Sequence, residues 1–339
     1  MFQGPARLAA VLAGVGLALS ACASVPRAQR VPRPNPASAE YLRSWGLNAV
    51  NANPAYLAGA TGRGVTIALV DCGLEQAVPE LRRNVSSRSV DVLAGQRKTG
   101  LQERHAAYVA GPLGSALDGQ GLVGVAYNAT LLSVRADFDG GLNGECAFKP
   151  SDLARAIDYA LAENAKVVVL PLQAKRPLGP TFEAALARAV SADVAVVIAA
   201  GNDAAADPSY PARYAADPRY AGSIVVVGAS GSDGALAGWS NKAGRASPYF
   251  VSAPGEGVIT DCGEKWCRRV SGTSVAAPYV GGALALILEA RPDLGGKGAI
   301  ARLLNGARDE GDPGVDATSG RGRLDIGAAF SAIAPLRRG

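Results

Sequence analysis

Residues 271–288 read Ser-Gly-Thr-Ser-Val-Ala-Ala-Pro-Tyr-Val-Gly-Gly-Ala-Leu-Ala-Leu-Ile-Leu, and this stretch decides the fold. The apolar and mostly small side chains after Ser274 predict a buried helix that neighbouring elements can approach closely. Pro278 is compatible with such a helix if it lies in the first turn, where its missing N–H would have no partner. Ser274 is then expected at a helix N-terminus, where free N–H groups favour developing negative charge. A serine that only caps a core helix is the commoner alternative.

Apolar runs and helical patterns alternate on the N-terminal side of this stretch. The apolar runs are continuous and contain many β-branched residues, as is typical of parallel strands that are buried on both faces. They are 64–71, 131–134, 166–172, 194–200 and 223–228, and the helical patterns among them are 151–163 and 181–190. The alternation predicts an α/β fold, namely a three-layer, doubly wound, mainly parallel sheet with helices on both faces.

Four polar residues lie at the ends of these elements. Asp71 ends the first apolar run and Asn202 follows the fourth, whereas His105, the only histidine in the chain, and Ser274 each precede small residues. Sites in open α/β sheets lie beyond the carboxyl ends of the strands, so we expect these side chains to meet. Taken singly, a turn-capping aspartate and a packed histidine are the commoner roles.

Together the four residues supply the parts that acyl transfer requires. Ser274 is the candidate nucleophile, His105 its base and Asp71 the group that orients the base. The Asn202 amide and the Ser274 N–H are the candidate oxyanion donors. The order Asp, His, Ser along the chain is one of three orders known for this geometry.

These residues stand in sequence blocks that resemble the subtilisin-like serine proteases, the subtilase family (peptidase S8), over residues 40–335. The blocks are Leu69–Gly73, His105–Gly111, Ala199–Asn202 and Gly272–Pro278. The resemblance implies a subtilisin-like fold and a serine endopeptidase that acts on polypeptides with catalytic Asp71, His105 and Ser274 and oxyanion donor Asn202. The blocks also resemble the subtilase passenger domains of autotransporters.

Departures from the family pattern affect the histidine block and the substrate groove. Ala106 and Ala107 replace the Gly and Thr of the family, and Pro171-Leu-Gln-Ala174 replaces Ser-Leu-Gly-Gly. The resemblance places Leu172, Gln173 and Asp203 in the groove, where Gln173 is expected to narrow the first specificity pocket. A silenced protein that acts as a binding or scaffold module is the alternative to an active protease.

The N-terminus has the pattern of an export signal. Arg7 precedes the apolar stretch 8–19, which is too short to span a bilayer, and Leu-Ser-Ala-Cys22 follows it. This resembles a bacterial lipobox, so residues 1–21 are expected to be a lipoprotein signal peptide and Cys22 a lipidated residue that attaches the chain to a bilayer. Residues 22–39 are rich in Pro and Arg and predict an extended tether. Ala23 after Cys22 resembles the outer-membrane pattern, and ordinary cleavage near Ala21 is the alternative.

The remaining cysteines and the charge restrict other functions. Four cysteines allow three complete pairings, but Cys262 and Cys267 flank a polar turn between strand-like segments and are expected to form a local disulfide. The pairing of Cys72 and Cys146 stays open.

A single histidine argues against a zinc site, and a calcium loop around Asp118 is weakly indicated, so no cofactor is expected. The net charge of +5 is not concentrated in a Lys/Arg run, which predicts no nucleic-acid partner, and we expect a monomer.

Overall fold

Parallel strands form the centre of the computed structural model. Its described residues are 1, 2, 4, 32–74, 78–93, 104–138, 146–263, 266–331 and 333. Residues Val31–Arg337 belong to one compact unit. The predicted lipidation residue Cys22 lies outside the described residues, and so does the predicted tether up to residue 31.

The described residues form a seven-stranded sheet in which every described strand pairing is parallel. The strands, in their order across the sheet, are β2 (Val90–Asp91), β3 (Thr130–Arg135), β1 (Thr66–Asp71), β6 (Val167–Leu170), β7 (Ala195–Ala199), β8 (Ile224–Ser230) and β9 (Phe250–Pro254). The predicted α/β fold is therefore confirmed. The edge strands β2 and β9 were not predicted, because the first is only two residues long and the second ends in a Pro-Gly turn that reads as a loop.

Helices cover both faces of this sheet. They are α1 (Ala39–Arg43), α2 (Gly46–Ala49), α3 (Asn53–Leu57), α4 (His105–Gly114), α5 (Pro150–Ala162), α6 (Gly179–Ser191), α7 (Thr273–Ala290), α8 (Gly295–Asn305) and α9 (Ile326–Phe330). Two antiparallel ladders complete the described fold: β4 (Asp137–Phe138) with β5 (Ala147–Phe148), and β10 (Val258–Thr260) with β11 (Arg268–Val270).

Alternation along the strands divides the core into two layers. In β1, Ile67 and Leu69 face the cluster that contains α4 and α7, whereas Ala68 and Val70 face the cluster that contains α5 and α6. All four side chains are fully buried. Because successive side chains of a strand point to opposite faces, a strand covered on both faces must be apolar at every position, which is the pattern of the sequence.

Two glycines let helix α7 pack closely on its neighbours, Gly281 on strand β6 and Gly282 on the segment between α4 and β3. A Cβ at Gly281 would lie 2.7 Å from Val169 Cγ2, and one at Gly282 would lie 2.6 Å from Val125 Cβ. The predicted buried helix of small residues is therefore confirmed. The reason given for Pro278 was wrong, because the helix begins at Thr273 and Pro278 is its sixth residue. Pro278 therefore leaves the carbonyl of Ser274 without its helical N–H donor, yet the helix continues.

Helix α7 is also, by length and composition, long and apolar enough to cross a membrane, and it is the one such helix among the described residues. In the structure 83% of it is buried inside the protein. A core helix satisfies this test as readily as a membrane span does, so we assign α7 to the core.

The end of the predicted tether packs against the folded unit. Pro34 is buried, and the Pro32 carbonyl accepts a hydrogen bond of 3.0 Å from the Tyr127 hydroxyl. The Ser38 side chain accepts a hydrogen bond from the Tyr41 N–H and caps helix α1. Residues 32–38 therefore contribute to the fold as well as leading into it.

Candidate active site

Neighbouring strands bring several of the predicted site residues to one edge of the sheet. Asp71 is the last residue of β1, Leu172 and Gln173 follow β6, and Asn202 follows β7, and these three strands are adjacent. His105 is the first residue of α4 and Ser274 the second residue of α7. The right-handed crossovers of a doubly wound sheet thus bring together residues that are far apart in sequence.

His105 and Asp71 form a close pair. His105 Nδ1 lies 2.8 Å from Asp71 Oδ2 and 2.9 Å from Oδ1, and Asp71 is only 2% exposed. The Cys72 N–H donates to Asp71 Oδ1 at 2.7 Å and fixes the carboxylate from the other side. A carboxylate at Nδ1 favours the tautomer that carries its proton there, which leaves Nε2 able to accept a proton.

The unusual residues after His105 fit the start of α4. Ala106 is fully buried and Ala107 is 6% exposed. Arg104, immediately before the helix, makes a bidentate ion pair with the buried carboxylate of Asp261, with distances of 2.6 and 3.0 Å. The one extra Cβ, that of Ala106, therefore leaves the His105 contact with Asp71 in place, and Arg104 attaches the helix start to the end of β10.

The amide of Asn202 is oriented by Thr273. Asn202 Oδ1 accepts hydrogen bonds of 2.9 Å from both the N–H and the hydroxyl of Thr273. A Cβ placed on Gly272 would lie 3.0 Å from Ser274 Oγ and 4.0 Å from Asn202 Nδ2. The amide donor therefore lies on the side of the loop that carries the serine, and a glycine at position 272 leaves the space between them open.

Asn241 holds the loop that carries Asn202. Its side chain is fully buried; Oδ1 accepts from the N–H groups of Asp203 and Ala205 at 2.9 Å each. Its Nδ2 donates to the Ala200 carbonyl at 3.1 Å and to Ser209 Oγ at 3.0 Å. One amide side chain thus cross-links both arms of the loop and limits its movement.

A cleft of about 380 Å³ contains the candidate catalytic residues. It is lined by His105, Cys146, Phe148, Pro171, Leu172, Gln173, Ala199, Asn202, Thr273 and Ser274. Gln173 Oε1 accepts the Asn202 N–H at 2.8 Å, so this side chain both lines the cleft and fixes the backbone of Asn202. Asp203 is exposed and is not among the described residues that line the cleft. Cys146 and Phe148, which line it, had no signal in the sequence, because Phe148 belongs to the two-residue strand β5 and Cys146 only precedes that strand.

The cysteines pair as Cys72 with Cys146 and Cys262 with Cys267. The second pairing is the predicted local disulfide of the β10–β11 hairpin. The first was one of the open alternatives, and its partners are 74 residues apart in sequence. It lies beside the Asp71–His105 pair, since one ligand atom from each of these four residues lies within 4.8 Å of every other. Both sulfurs are bonded to each other, so neither is available as a metal ligand in this state.

The loop at Asp118 is held by a carboxylate. Glu40 Oε1 accepts the N–H groups of Asp118 and Gly119 at 3.0 and 3.2 Å, and Asp118 Oδ1 accepts the N–H of Gln120 at 3.1 Å. Calcium takes six to eight oxygen ligands, whereas the described part of this loop directs N–H donors inward to an acidic side chain. These contacts do not test calcium binding at Asp118, which stays a prediction.

The parallel sheet and the cleft that is lined by both His105 and Ser274 can be set beside comparisons with known proteins. The model of the Subtilase family (Peptidase_S8) matches residues 62–322. Subtilisin BL of Lederbergia lenta is 32% identical over 248 residues, which are 73% of this chain and 85% of that protein. The alkaline protease of Alkalihalobacillus alcalophilus is 31% identical over 248 residues, or 73% of this chain and 60% of that protein. The chain belongs to the subtilase family, and the predicted class of serine-type endopeptidase is confirmed at the level of the family.

Proposed function

We propose that the protein is an active serine endopeptidase that cleaves polypeptides through an acyl-enzyme on Ser274. The observation that carries this proposal is the hydrogen-bonded pair of His105 and Asp71 on the cleft that also contains Ser274 and Asn202. A scaffold module would have no need of a buried carboxylate fixed to the only histidine of the chain.

Each residue has a defined part in the proposed reaction. His105 Nε2 takes the proton of Ser274 Oγ as the oxygen attacks the peptide carbonyl, and it later returns the proton to the leaving amine. Asp71 remains ionised and stabilises the imidazolium. The Asn202 amide and the Ser274 N–H donate to the oxyanion of the tetrahedral intermediate. Water then hydrolyses the acyl-enzyme with His105 again as base.

The groove predicts which peptides are cut. Gln173 lines the cleft where the family has glycine, and its side chain is fixed by the Asn202 N–H. We therefore expect poor turnover of bulky aromatic residues before the cleaved bond and better turnover of small or polar ones. A peptide-library profile measures this preference, and a strong Phe or Tyr preference would contradict the narrowed pocket.

Labelling with a fluorophosphonate probe tests the proposed chemistry directly. Wild type should label, whereas Ser274→Ala and His105→Ala should not. Ser271→Ala is the matched control, because it removes a hydroxyl three residues away that accepts the Gly257 N–H, and it should label like wild type. Absence of labelling in folded wild type would favour the scaffold alternative, and labelling of Ser274→Ala would assign a different nucleophile.

We further propose that the protein is an exported bacterial lipoprotein, attached by Cys22 to the outer membrane and monomeric. The two disulfides among the described residues support export, since disulfides persist in oxidising compartments. Two or three acyl chains would attach it stably where one chain would not. Mass spectrometry of the mature N-terminal peptide tests this, with Cys22→Ser as control. An unmodified start beyond Cys22 would contradict it. The likeness to autotransporter passenger domains also stays a prediction.

A further inference from the structure

The Cys72–Cys146 disulfide is in contact with the centre of the proposed chemistry. Cys72 follows Asp71 directly and donates its N–H to that carboxylate. Cys146 lines the catalytic cleft beside His105. A carboxylate oxygen, an imidazole nitrogen and the two sulfurs all lie within 4.8 Å of one another. Breaking the sulfur–sulfur bond would therefore release two thiols next to two further metal-binding groups.

The two sulfurs differ in exposure. Cys72 is 1% exposed, whereas Cys146 is partly exposed and faces the cleft. A thiolate reductant that enters the cleft therefore reaches Cys146 first. Its attack on the Cys146 sulfur releases Cys72 as the thiolate, and the second thiol of the reductant then resolves the mixed disulfide. A dithiol is thereby oxidised to its disulfide while the protein disulfide is reduced to two thiols.

We propose that the reduced protein binds Zn²⁺ through Cys72, Cys146, His105 and Asp71, and that this metal-bound form is inactive. The two cysteines bind as thiolates, so their two protons are released to solvent when the metal binds. The inactivation rests on the catalytic roles proposed above for His105 and Asp71. The metal site itself rests only on the positions of the four side chains.

The chemistry of the four groups fits zinc better than other common cations. Thiolates and imidazole are preferred ligands of Zn²⁺, and carboxylate is accepted, in tetrahedral sites. With metal–ligand bonds of about 2.0–2.3 Å, the ligand atoms of a tetrahedron lie about 3.3–3.8 Å apart. All four atoms already lie within 4.8 Å of one another, and the sulfurs separate once their bond is broken. Small side-chain movements therefore suffice.

Zinc at this site would block catalysis whichever imidazole nitrogen it binds. If Nδ1 binds the metal, the neutral ring carries its proton on Nε2 and cannot accept the proton of Ser274. If Nε2 binds the metal, the lone pair that would accept the proton is occupied. In both cases Asp71 no longer orients the base. The site thus provides inhibition that depends on reduction and on metal together.

Cobalt binding tests the site without relying on activity. The protein is reduced, freed of reductant without oxygen and titrated with Co²⁺, in wild type and in Ser274→Ala. We expect two signals, a thiolate-to-cobalt charge-transfer band and the visible absorption of tetrahedral Co²⁺. Both should saturate at one Co²⁺ per chain and disappear when Zn²⁺ is added. The oxidised protein should show neither. The variant Cys72→Ser/Cys146→Ser should lose the absorption, whereas the matched pair Cys262→Ser/Cys267→Ser should keep it.

Peptide turnover then tests the inhibition. Stoichiometric Zn²⁺ should lower turnover by the reduced wild type by roughly tenfold or more, leave the oxidised wild type unchanged, and be reversed by a chelator. Reduced protein that gives no cobalt absorption, or that unfolds by circular dichroism, would overturn the proposal. If the double serine variant does not fold, the single variant Cys146→Ser replaces it in the cobalt titration. Cobalt absorption of that variant equal to that of wild type would also overturn the proposal. Cobalt absorption without any hydrolysis by the oxidised protein would instead refute the proposed protease activity.

Discussion

The buried carboxyl of Glu80 should make the stability of this fold depend on pH. Glu80 is 4% exposed; its Oε1 accepts the Cys262 N–H at 3.1 Å, and its Oε2 has no hydrogen-bond partner among the described residues. Burial raises the pKa of Glu80 to about 7, against the opposing effect of backbone hydrogen bonds, and the Asp261 and Asp118 carboxylates raise the pKa further. Glu80 should therefore hold its proton in the folded chain at pH values where the unfolded chain has lost it.

The direction and size of the effect follow from the two pKa values. The folded carboxyl is protonated up to about pH 7, whereas the unfolded one ionises near 4.5. Between these values the folded state binds more protons, so the free energy of unfolding falls as pH rises. Over the whole window the loss is about 3 kcal/mol, and most of it falls between pH 5 and pH 8.

Glu80→Gln should remove this dependence, because an amide remains neutral at every pH. Urea unfolding at pH 5 and pH 8, in a Ser274→Ala background that prevents self-digestion, measures the difference between variant and parent. Between pH 5 and pH 8 the free energy of unfolding of the variant should gain roughly 2–3 kcal/mol relative to that of the parent. Glu256→Gln removes an exposed carboxylate and should behave like the parent at both. A gain below about 0.5 kcal/mol for Glu80→Gln would refute the reasoning, since it would mean that the neighbouring cavity of about 700 Å³ solvates the carboxylate.

Three further substitutions test the site. Asn202→Ala should lower kcat by about 10²–10³-fold with little change in KM, as is typical when one oxyanion donor is removed, and steady-state kinetics measure both. Gly272→Ala should slow fluorophosphonate labelling on the order of 10²-fold, because its Cβ would lie 3.0 Å from Ser274 Oγ. It should leave the free energy of unfolding unchanged, because the extended backbone at position 272 suits any residue. Asn241→Ala should destabilise the fold by about 2–4 kcal/mol in urea, because it leaves buried partners unpaired; a loss below about 1 kcal/mol would contradict its role in the loop.

The main architecture could be predicted from the sequence because it depends on local patterns. Buried parallel strands are apolar at every position, so the runs around Ile67 and Val169 were recognisable. The positions of Asp71, His105 and Ser274 at the ends of predicted strands and helices indicated that they meet at one edge of the sheet. The pairing of Cys72 with Cys146 could not be predicted, since nothing local relates residues so far apart. The Asn241 network was equally invisible, because its hydrogen bonds join three separate segments.

Some errors had a definite physical cause. The assignment of Pro278 to the first turn fails whether the helix begins at Thr273 or after Ser274, because an N–H at position 278 would in both cases bond to the Ser274 carbonyl. The role of Cys146 was missed for another reason. A short ladder that pairs only two residues on each strand has too little periodicity to be recognised, although it brings a sulfur into the cleft.

Gln173 couples substrate preference to catalysis in this chain. Its side chain occupies groove space that glycine leaves open in the family, and its Oε1 accepts the N–H of Asn202. Gln173→Gly should therefore admit bulky aromatic residues before the cleaved bond and also lower kcat for small ones, because the Asn202 backbone loses an acceptor. Gln173→Glu preserves an acceptor oxygen and much of the side-chain volume, so it should retain the narrow preference. Library profiling together with kcat for one small-residue peptide separates the two effects. A Gln173→Gly variant with a broadened preference and unchanged kcat would show that Asn241 and Thr273 alone are sufficient to position the oxyanion donor.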